Sequence, residues 1–208
     1  MEDSNNEFVL NEIKQFIKDN YDLVDINHCE FVFDDTKNKH IINYDLSVSL
    51  KHNAEQLTNG LFEWGAVGGC FDCGDCPKLE TLEGAPNKTN GSFDCYKCPK
   101  LTSLEGAPKE VGDHFYCYKC IKLKSLQGAP KKVMGSFYCF GCSELKTLEG
   151  APEIVHNNFD CSYCSKLESL EGAPEYVSGN FDCGECPNLH SLDGIGKIKA
   201  GEIFSDIN

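Results

Sequence analysis

Pairs of cysteines three residues apart are the part of this sequence whose type and spacing could do chemistry: Cys73/Cys76, Cys95/Cys98, Cys117/Cys120, Cys139/Cys142, Cys161/Cys164 and Cys183/Cys186. A C-x-x-C unit is half of a four-cysteine zinc site, and two such halves brought together from adjacent segments hold a tetrahedral metal. The same unit performs redox chemistry when one sulfur is a solvent-facing thiolate near a cation or a helix N-terminus. Where the backbone points the sulfurs decides between these uses and a third, in which the thiols are simply packed.

The backbone is fixed by a repeat. Phe71, Phe93, Phe115, Phe137, Phe159 and Phe181 each open a copy of F-x-C-x-x-C-x-x-L-x-x-L-x-G, with a step of 22 residues and no insertion or deletion. Five copies continue with Ala-Pro, and four of those reach valine three residues later. A 22-residue unit cannot bury a core of its own, so the copies must stack as a solenoid.

The opening phenylalanine and the cysteine two residues on alternate with other residues, the period of a strand buried on one face. The second cysteine, the two leucines, the alanine and the valine then recur every three or four residues, each returning an apolar side chain to the inside. Glycine and proline of the G-A-P triplet punctuate a return path expected to hold short turns or 3₁₀ pieces. The order Phe93-Asp94-Cys95-Tyr96-Lys97-Cys98-Pro99-Lys100-Leu101 resembles the leucine-rich-repeat core, with the second cysteine at the ladder position. The downstream L-x-S-L-x-G-A-P-x-x-V is similar to the short repeats of bacteriophage and bacterial leucine-rich-repeat proteins of unknown activity. That resemblance covers residues 71 to about 202. It implies an α/β repeat solenoid of leucine-rich-repeat type, with a parallel β-sheet on its concave face and coils about 4.8 Å apart. It implies nothing about activity, because the family is defined by a scaffold.

Solenoid ends need caps. Residues 1–47 read as a small α/β cap: Phe8, Ile13, Phe16 and Ile17 fall near one helical face, and Phe31-Val32-Phe33 and Ile41-Ile42-Asn43-Tyr44 flank a polar turn as a hairpin. Leu46, Val48 and Leu50 alternate, and Val67 stands four residues before Phe71, so residues 48–70 read as a degenerate first coil. Six regular repeats follow over 71–202. Gly194-Ile195-Gly196 departs from G-A-P, Ile203 falls on the phenylalanine register, and residues 203–208 are expected to close the stack as a short strand.

In this frame the first cysteine of each pair shares a face with phenylalanine and points inward, where a neutral thiol behaves as a small apolar group. Four thiolates on zinc would carry negative charge into a core with no basic position. The spacing therefore predicts a double ladder of buried thiols, with no metal and no cofactor, and zinc or thiol chemistry as the alternative. The six histidines, at 28, 40, 52, 114, 156 and 190, lack ligand spacing and read as surface or cap residues. No phosphate-binding glycine loop or nucleophile elbow occurs, so an enzyme is not expected. The acidic row Glu83, Glu105, Gln127, Glu149, Glu171 and Asp193, each before the repeat glycine, reads as a solubilising edge.

The formal net charge of -14 disfavours direct nucleic-acid binding, which needs a basic stripe. No apolar run reaches the roughly 20 residues of a membrane span. The acidic start, MEDSNNEFVLNEIKQF, lacks the features of a signal peptide. With 14 cysteines, a reducing cytoplasmic setting is expected, that of a bacterial host if the chain is phage-encoded.

Ligand information in a repeat scaffold lies in the positions that vary. The second-residue column runs Asp72, Asp94, Tyr116, Tyr138, Asp160, Asp182; the fourth runs Gly74, Tyr96, Tyr118, Phe140, Ser162, Gly184. Tyr96, Tyr116, Tyr118, Tyr138 and Phe140 should sit side by side, with Tyr163 as an extension and Asp94, Asp160 and Asp182 around them. An aromatic cluster ringed by polar groups is the composition of a protein-binding hot spot. The expected function is a non-enzymatic adaptor or inhibitor that grips a protein partner presenting basic groups. The alternative is an acidic mimic that occupies a nucleic-acid-binding protein through charge. Exposed aromatics that merely stabilise the sheet by cross-strand pairing are the plainer account of the same residues.

Overall fold

In every copy a two-residue strand starts at the phenylalanine, whose side chain is buried, while the next residue is half-buried on the other face. In the computed structural model, which describes residues 2–23, 25–195 and 198–207 (residues 2–6 by their backbone alone), these strands pair parallel and in register. Phe71 lies beside Phe93, Phe93 beside Phe115, and so on to Phe181 beside Ile203. The result is a parallel β-solenoid of about seven turns with one α-helix among the described residues.

Inside the coil the six phenylalanines form a continuous column, successive ring centroids 5.1–5.8 Å apart. The two leucines of each regular copy stack beside them, buried from Leu79 and Leu82 through Leu167 and Leu170. Because every coil contributes the same residues, each lies against its own kind above and below, and stability grows coil by coil.

The return path differs from the expectation of turns alone. Lys88–Thr89, Glu110–Val111, Lys132–Val133, Ile154–Val155 and Tyr176–Val177 form a second parallel sheet. The cause is the buried β-branched residue that recurs every coil as Thr89, Val111, Val133, Val155 and Val177. Turns fill the remainder, and the 3₁₀ helix among the described residues, Ile26–His28, lies in the cap with Asp25 accepting from the Asn27 amide.

The glycine of G-A-P takes φ values from 84° to 97°. At Gly128 a Cβ would lie 2.4 Å from backbone atoms of Leu104 and Glu105 in the preceding coil. Glycine is thus required twice there, by conformation and by space.

Helix α1 (Glu2–Asn20) and strands β1 (Tyr21–Asp22), β2 (Cys29–Asp34), β3 (Lys39–Tyr44), β4 (Val48–Leu50) and β5 (Phe62–Val67) cover the N-terminal end. Ile13 and Ile17 bury against the core, and four residues earlier it is Val9, not Phe8, that packs there; Phe8 is 61% exposed. Leu46 precedes β4 in a bend and is exposed, while Val48 and Leu50 are buried. β2 and β3 form an antiparallel hairpin, β3 runs parallel to β5, and β5 to Lys88–Thr89, so the cap and the coils share one sheet. β4 pairs with the first phenylalanine strand at a step of 23, Val48 beside Phe71. Tyr21 ties the junction: its hydroxyl donates to the Leu57 carbonyl at 2.6 Å and accepts from Trp64 Nε1 at 3.1 Å.

At the C-terminal end Ile203–Phe204 adds a last parallel strand, its side chains 42% and 45% exposed. Gly196 in the altered G-A-P triplet, and Asn208 at the end of the expected closing strand, lie outside the described residues.

Candidate functional site

The twelve repeat cysteines are all free and all buried. The sulfurs at the second position do more than fill space. The thiol of Cys98 donates to the carbonyl oxygen of Cys73 at 3.3 Å, Cys120 to Cys95 at 3.1 Å, Cys142 to Cys117 at 3.3 Å, Cys164 to Cys139 at 3.4 Å and Cys186 to Cys161 at 3.4 Å. These bonds run from each coil back to the one before, opposite to the amides of Cys73, Cys95, Cys117, Cys139 and Cys161, which donate forward to the carbonyls of Asp94, Tyr116, Tyr138, Asp160 and Asp182. Burial pushes the first-position thiols Cys73, Cys95, Cys117, Cys139 and Cys161 well above their ordinary range, and Cys98, Cys120 and Cys164 up to about 12. A neutral, enclosed thiol is a poor nucleophile and a poor metal ligand. Among the described residues no three His, Cys, Asp or Glu side chains are grouped as metal ligands.

Outside the phenylalanine sheet the two variable columns meet. Tyr96 stacks on Tyr118 at 4.9 Å and Tyr118 on Phe140 at 4.6 Å, each pair within 4° of parallel. In the neighbouring column Tyr116 stacks on Tyr138 at 5.1 Å, again within 4°. Tyr118, in the turn that follows the Phe115–Tyr116 strand, meets Tyr116 at 87°, centroids 6.3 Å apart, which joins the columns at a corner. All five rings are half-buried. The lower end of the first column rests on Gly74, where a Cβ would come within 2.5 Å of the Tyr96 ring. Two ammonium groups of the chain already use these rings: Lys97 lies 5.9 Å from the Tyr96 centroid and Lys119 5.8 Å from that of Phe140.

The carboxylates bracket the Tyr116/Tyr138 stack. Asp94 is the register partner of Tyr116 on one side and Asp160 that of Tyr138 on the other, with Asp72 and Asp182 one coil further out. Three of the four are tied to their own strand: Asp72 accepts from the Gly74 amide, Asp160 from the Ser162 amide and hydroxyl, and Asp182 from the Gly184 amide. Asp94 is the exception. Its Oδ1 is buried with no hydrogen-bond partner. Burial, then the carboxylates of Asp72 and Asp113, push its pKa up to about 7. Burial also raises Tyr96, Tyr116 and Tyr118, with neighbouring carboxylates adding to it.

Tyr163 does not join the stack. It sits at the fifth position of its copy, which adopts left-handed φ in Asp75, Lys97, Lys119, Gly141, Tyr163 and Glu185, and it is 61% exposed. It borders a different hollow, near Cys183, Asp206 and Ile207. The acidic row from Glu83 to Asp193 is exposed on the return path.

Sequence reasoning missed the residue before each phenylalanine. At all but Ser92, whose hydroxyl donates to Asp113, the side chain there accepts from the amide of its counterpart one coil on: Ser47 from Cys70, Cys70 from Ser92, His114 from Ser136, Ser136 from Asn158, Asn158 from Asn180 and Asn180 from Glu202. His114 is the member that reaches the site. Its Nδ1 takes the Ser136 N–H, its Nε2 lies 3.4 Å from Asp113, and its ring packs 5.6 Å from Tyr116 and 6.2 Å from Tyr138. The only signal in the sequence is that a hydrogen-bond acceptor of varying type recurs at that register.

No helix among the described residues is long and apolar enough to cross a membrane. Compared with family models, with curated proteins and with solved structures, the chain matches none.

Proposed function

We propose that this chain is a non-enzymatic protein-interaction module, an adaptor or inhibitor, that grips its partner on the outer face of the phenylalanine sheet. The observation that carries the reading is the five-ring patch of Tyr96, Tyr116, Tyr118, Tyr138 and Phe140, stacked across three coils and bracketed by Asp94 and Asp160. Rings held parallel by a rigid ladder lose little conformational freedom on binding, and half-buried tyrosines surrounded by polar groups are the usual anchors of interfaces. The thiols are assigned to the scaffold, because each second-position sulfur is occupied as a donor to a carbonyl.

The leucine-rich-repeat affinity of the coil, with the phenylalanine sheet as its concave side, belongs to the same proposal and draws support from the 22-residue period and the parallel ladder. So does a reducing cytoplasmic home, since an S–H donor requires an unoxidised thiol. The phage or bacterial source is proposed from the repeat's resemblance alone.

The test is capture of partner proteins on immobilised chain from candidate bacterial hosts, followed by affinity measurements over a range of salt. An aromatic interface keeps most of its affinity as ionic strength rises. A steep loss with salt would replace the aromatic grip by an acidic mimic acting through charge alone.

A further inference from the structure

Of the rings around Tyr116 only Tyr138 stacks parallel on it, while His114 and Tyr118 meet it at 53° and 87°. Tyr138 in the next coil stacks on it at 5.1 Å, so the opposite face turns to the preceding coil, where the register partner is not a ring but Asp94. Tyr118 closes the corner at 87°, and Tyr96, stacked on Tyr118 at 4.9 Å, forms the wall beside Asp94. Asp94 thus takes the place in the stack that a ring would hold, in the corner between Tyr116 and the Tyr96/Tyr118 column.

The other end of the same stack is the internal comparison. Tyr138 faces Asp160 in the same register, but Asp160 Oδ1 already accepts the Ser162 hydroxyl at 2.6 Å and the Ser162 amide at 2.9 Å. Asp94 Oδ1 has no donor, although it is shut off from water. A buried acceptor without a donor is uncommon in native structures and calls for an explanation. Lys97 and Lys119, the nearby cations, lie over Tyr96 and Phe140.

We infer that this corner, formed by Asp94, Tyr116, Tyr118 and Tyr96, opens as a slot that anchors an arginine side chain of the partner, the guanidinium lying against Tyr116 and donating to the Asp94 carboxylate. The chemistry selects among cations. The orphaned acceptor needs an N–H, which a quaternary ammonium lacks. A flat aromatic face one coil from a carboxylate suits a planar fork that stacks and donates at once better than the compact, strongly hydrated ammonium of lysine. This inference rests on the interaction reading above and names the group that the partner presents.

The experiment titrates the ¹⁵N-labelled full chain with Nα-acetyl-arginine amide, with its uncharged isostere Nα-acetyl-citrulline amide, and with tetramethylammonium, following amide shifts. The expected result is saturable shifts from arginine at Asp94, Tyr116 and Tyr118, little from the other two, and affinity lowered roughly tenfold by Asp94→Asn. Tyr116→Leu, which keeps apolar bulk, should weaken binding as well, and Asp182→Asn should not. Equal response to citrulline or tetramethylammonium, or unchanged arginine affinity in Asp94→Asn, overturns the assignment. The two readings fail separately: a partner still held by the tyrosine face without arginine binding removes only the slot, whereas a partner indifferent to the tyrosines removes the interaction reading itself.

Discussion

The thiol of Cys120 lies 3.1 Å from the carbonyl oxygen of Cys95 in the preceding coil and donates to it. Cys117, three residues earlier and equally buried, shares the inward face with Phe115. The two cysteines of one pair therefore have different duties, and substitution should separate them. At Cys117, serine places a hydroxyl in an apolar setting, and an unpaired buried hydroxyl costs on the order of 1–3 kcal/mol, so alanine is the milder change. At Cys120 the order reverses, because a serine hydroxyl inherits the Cys95 carbonyl while alanine leaves it without the thiol donor. Urea denaturation of the four single variants under reducing conditions checks this crossed pattern. Equal effects at both positions would place the thiols outside the core.

Asp94 gives the stability a pH dependence of known sign. Its folded pKa is raised to about 7 by burial and by Asp72 and Asp113, so the folded state holds a proton that the unfolded chain gives up near 4. Stability from this group is fully present below about 4 and is lost as pH climbs to about 7. His114, Lys97 and the tyrosines 96, 116 and 118 also border the site, so the contribution is read by difference. Asp94→Asn should flatten the wild-type decline over that interval by on the order of 1–2 kcal/mol, after allowing for partial solvent screening. Parallel curves for the two proteins would contradict the burial of this carboxylate.

Two backbone positions should respond to glycine chemistry with opposite signs. Gly128→Ala forces a side chain onto φ 97° and against the preceding coil, and should destabilise by about 2 kcal/mol or more. Glu185, exposed at φ 55°, carries the cost of left-handed backbone in an L-residue. Glu185→Gly should be neutral or stabilise by about 0.5 kcal/mol, the relief of strain exceeding the entropy glycine adds to the unfolded chain. Thermal unfolding of both variants measures the signs.

What could be read from the sequence follows from how often a residue type recurs. Phenylalanine, cysteine and leucine return every 22 residues, and their burial as inward ladders follows from period alone. The second sheet could not be read because each of its strands carries one recurring inward residue, valine in four and threonine in Lys88–Thr89, with no second inward position to show alternation. Phe8 fell near the expected helical face and Leu46 on the expected alternation, but Val9 holds the four-residue spacing to Ile13, and the buried alternation begins only at Val48. The aromatic columns could be placed because parallel register is fixed by the repeat. The solitary state of Asp94 could not, since Asp72, Asp160 and Asp182 carry the same letter and differ from it only in the amide they accept.

The central claim, that the tyrosine face holds a protein partner, is tested most directly by the affinity of a captured partner for two triple variants. One changes Tyr116, Tyr118 and Tyr138 to serine; the other changes Glu105, Gln127 and Glu149, on the exposed return path, to alanine. Both should fold: the return-path residues are exposed, and losing the half-buried rings removes cross-strand pairing worth roughly 0.2–1 kcal/mol each while the inward ladders stay intact. The tyrosine variant should lose roughly thirtyfold or more in affinity, the effect of about 2 kcal/mol at a hot spot, while the return-path variant stays near wild type. A tyrosine variant that keeps its partner while the return-path variant loses it would contradict the account and move the site to the acidic row.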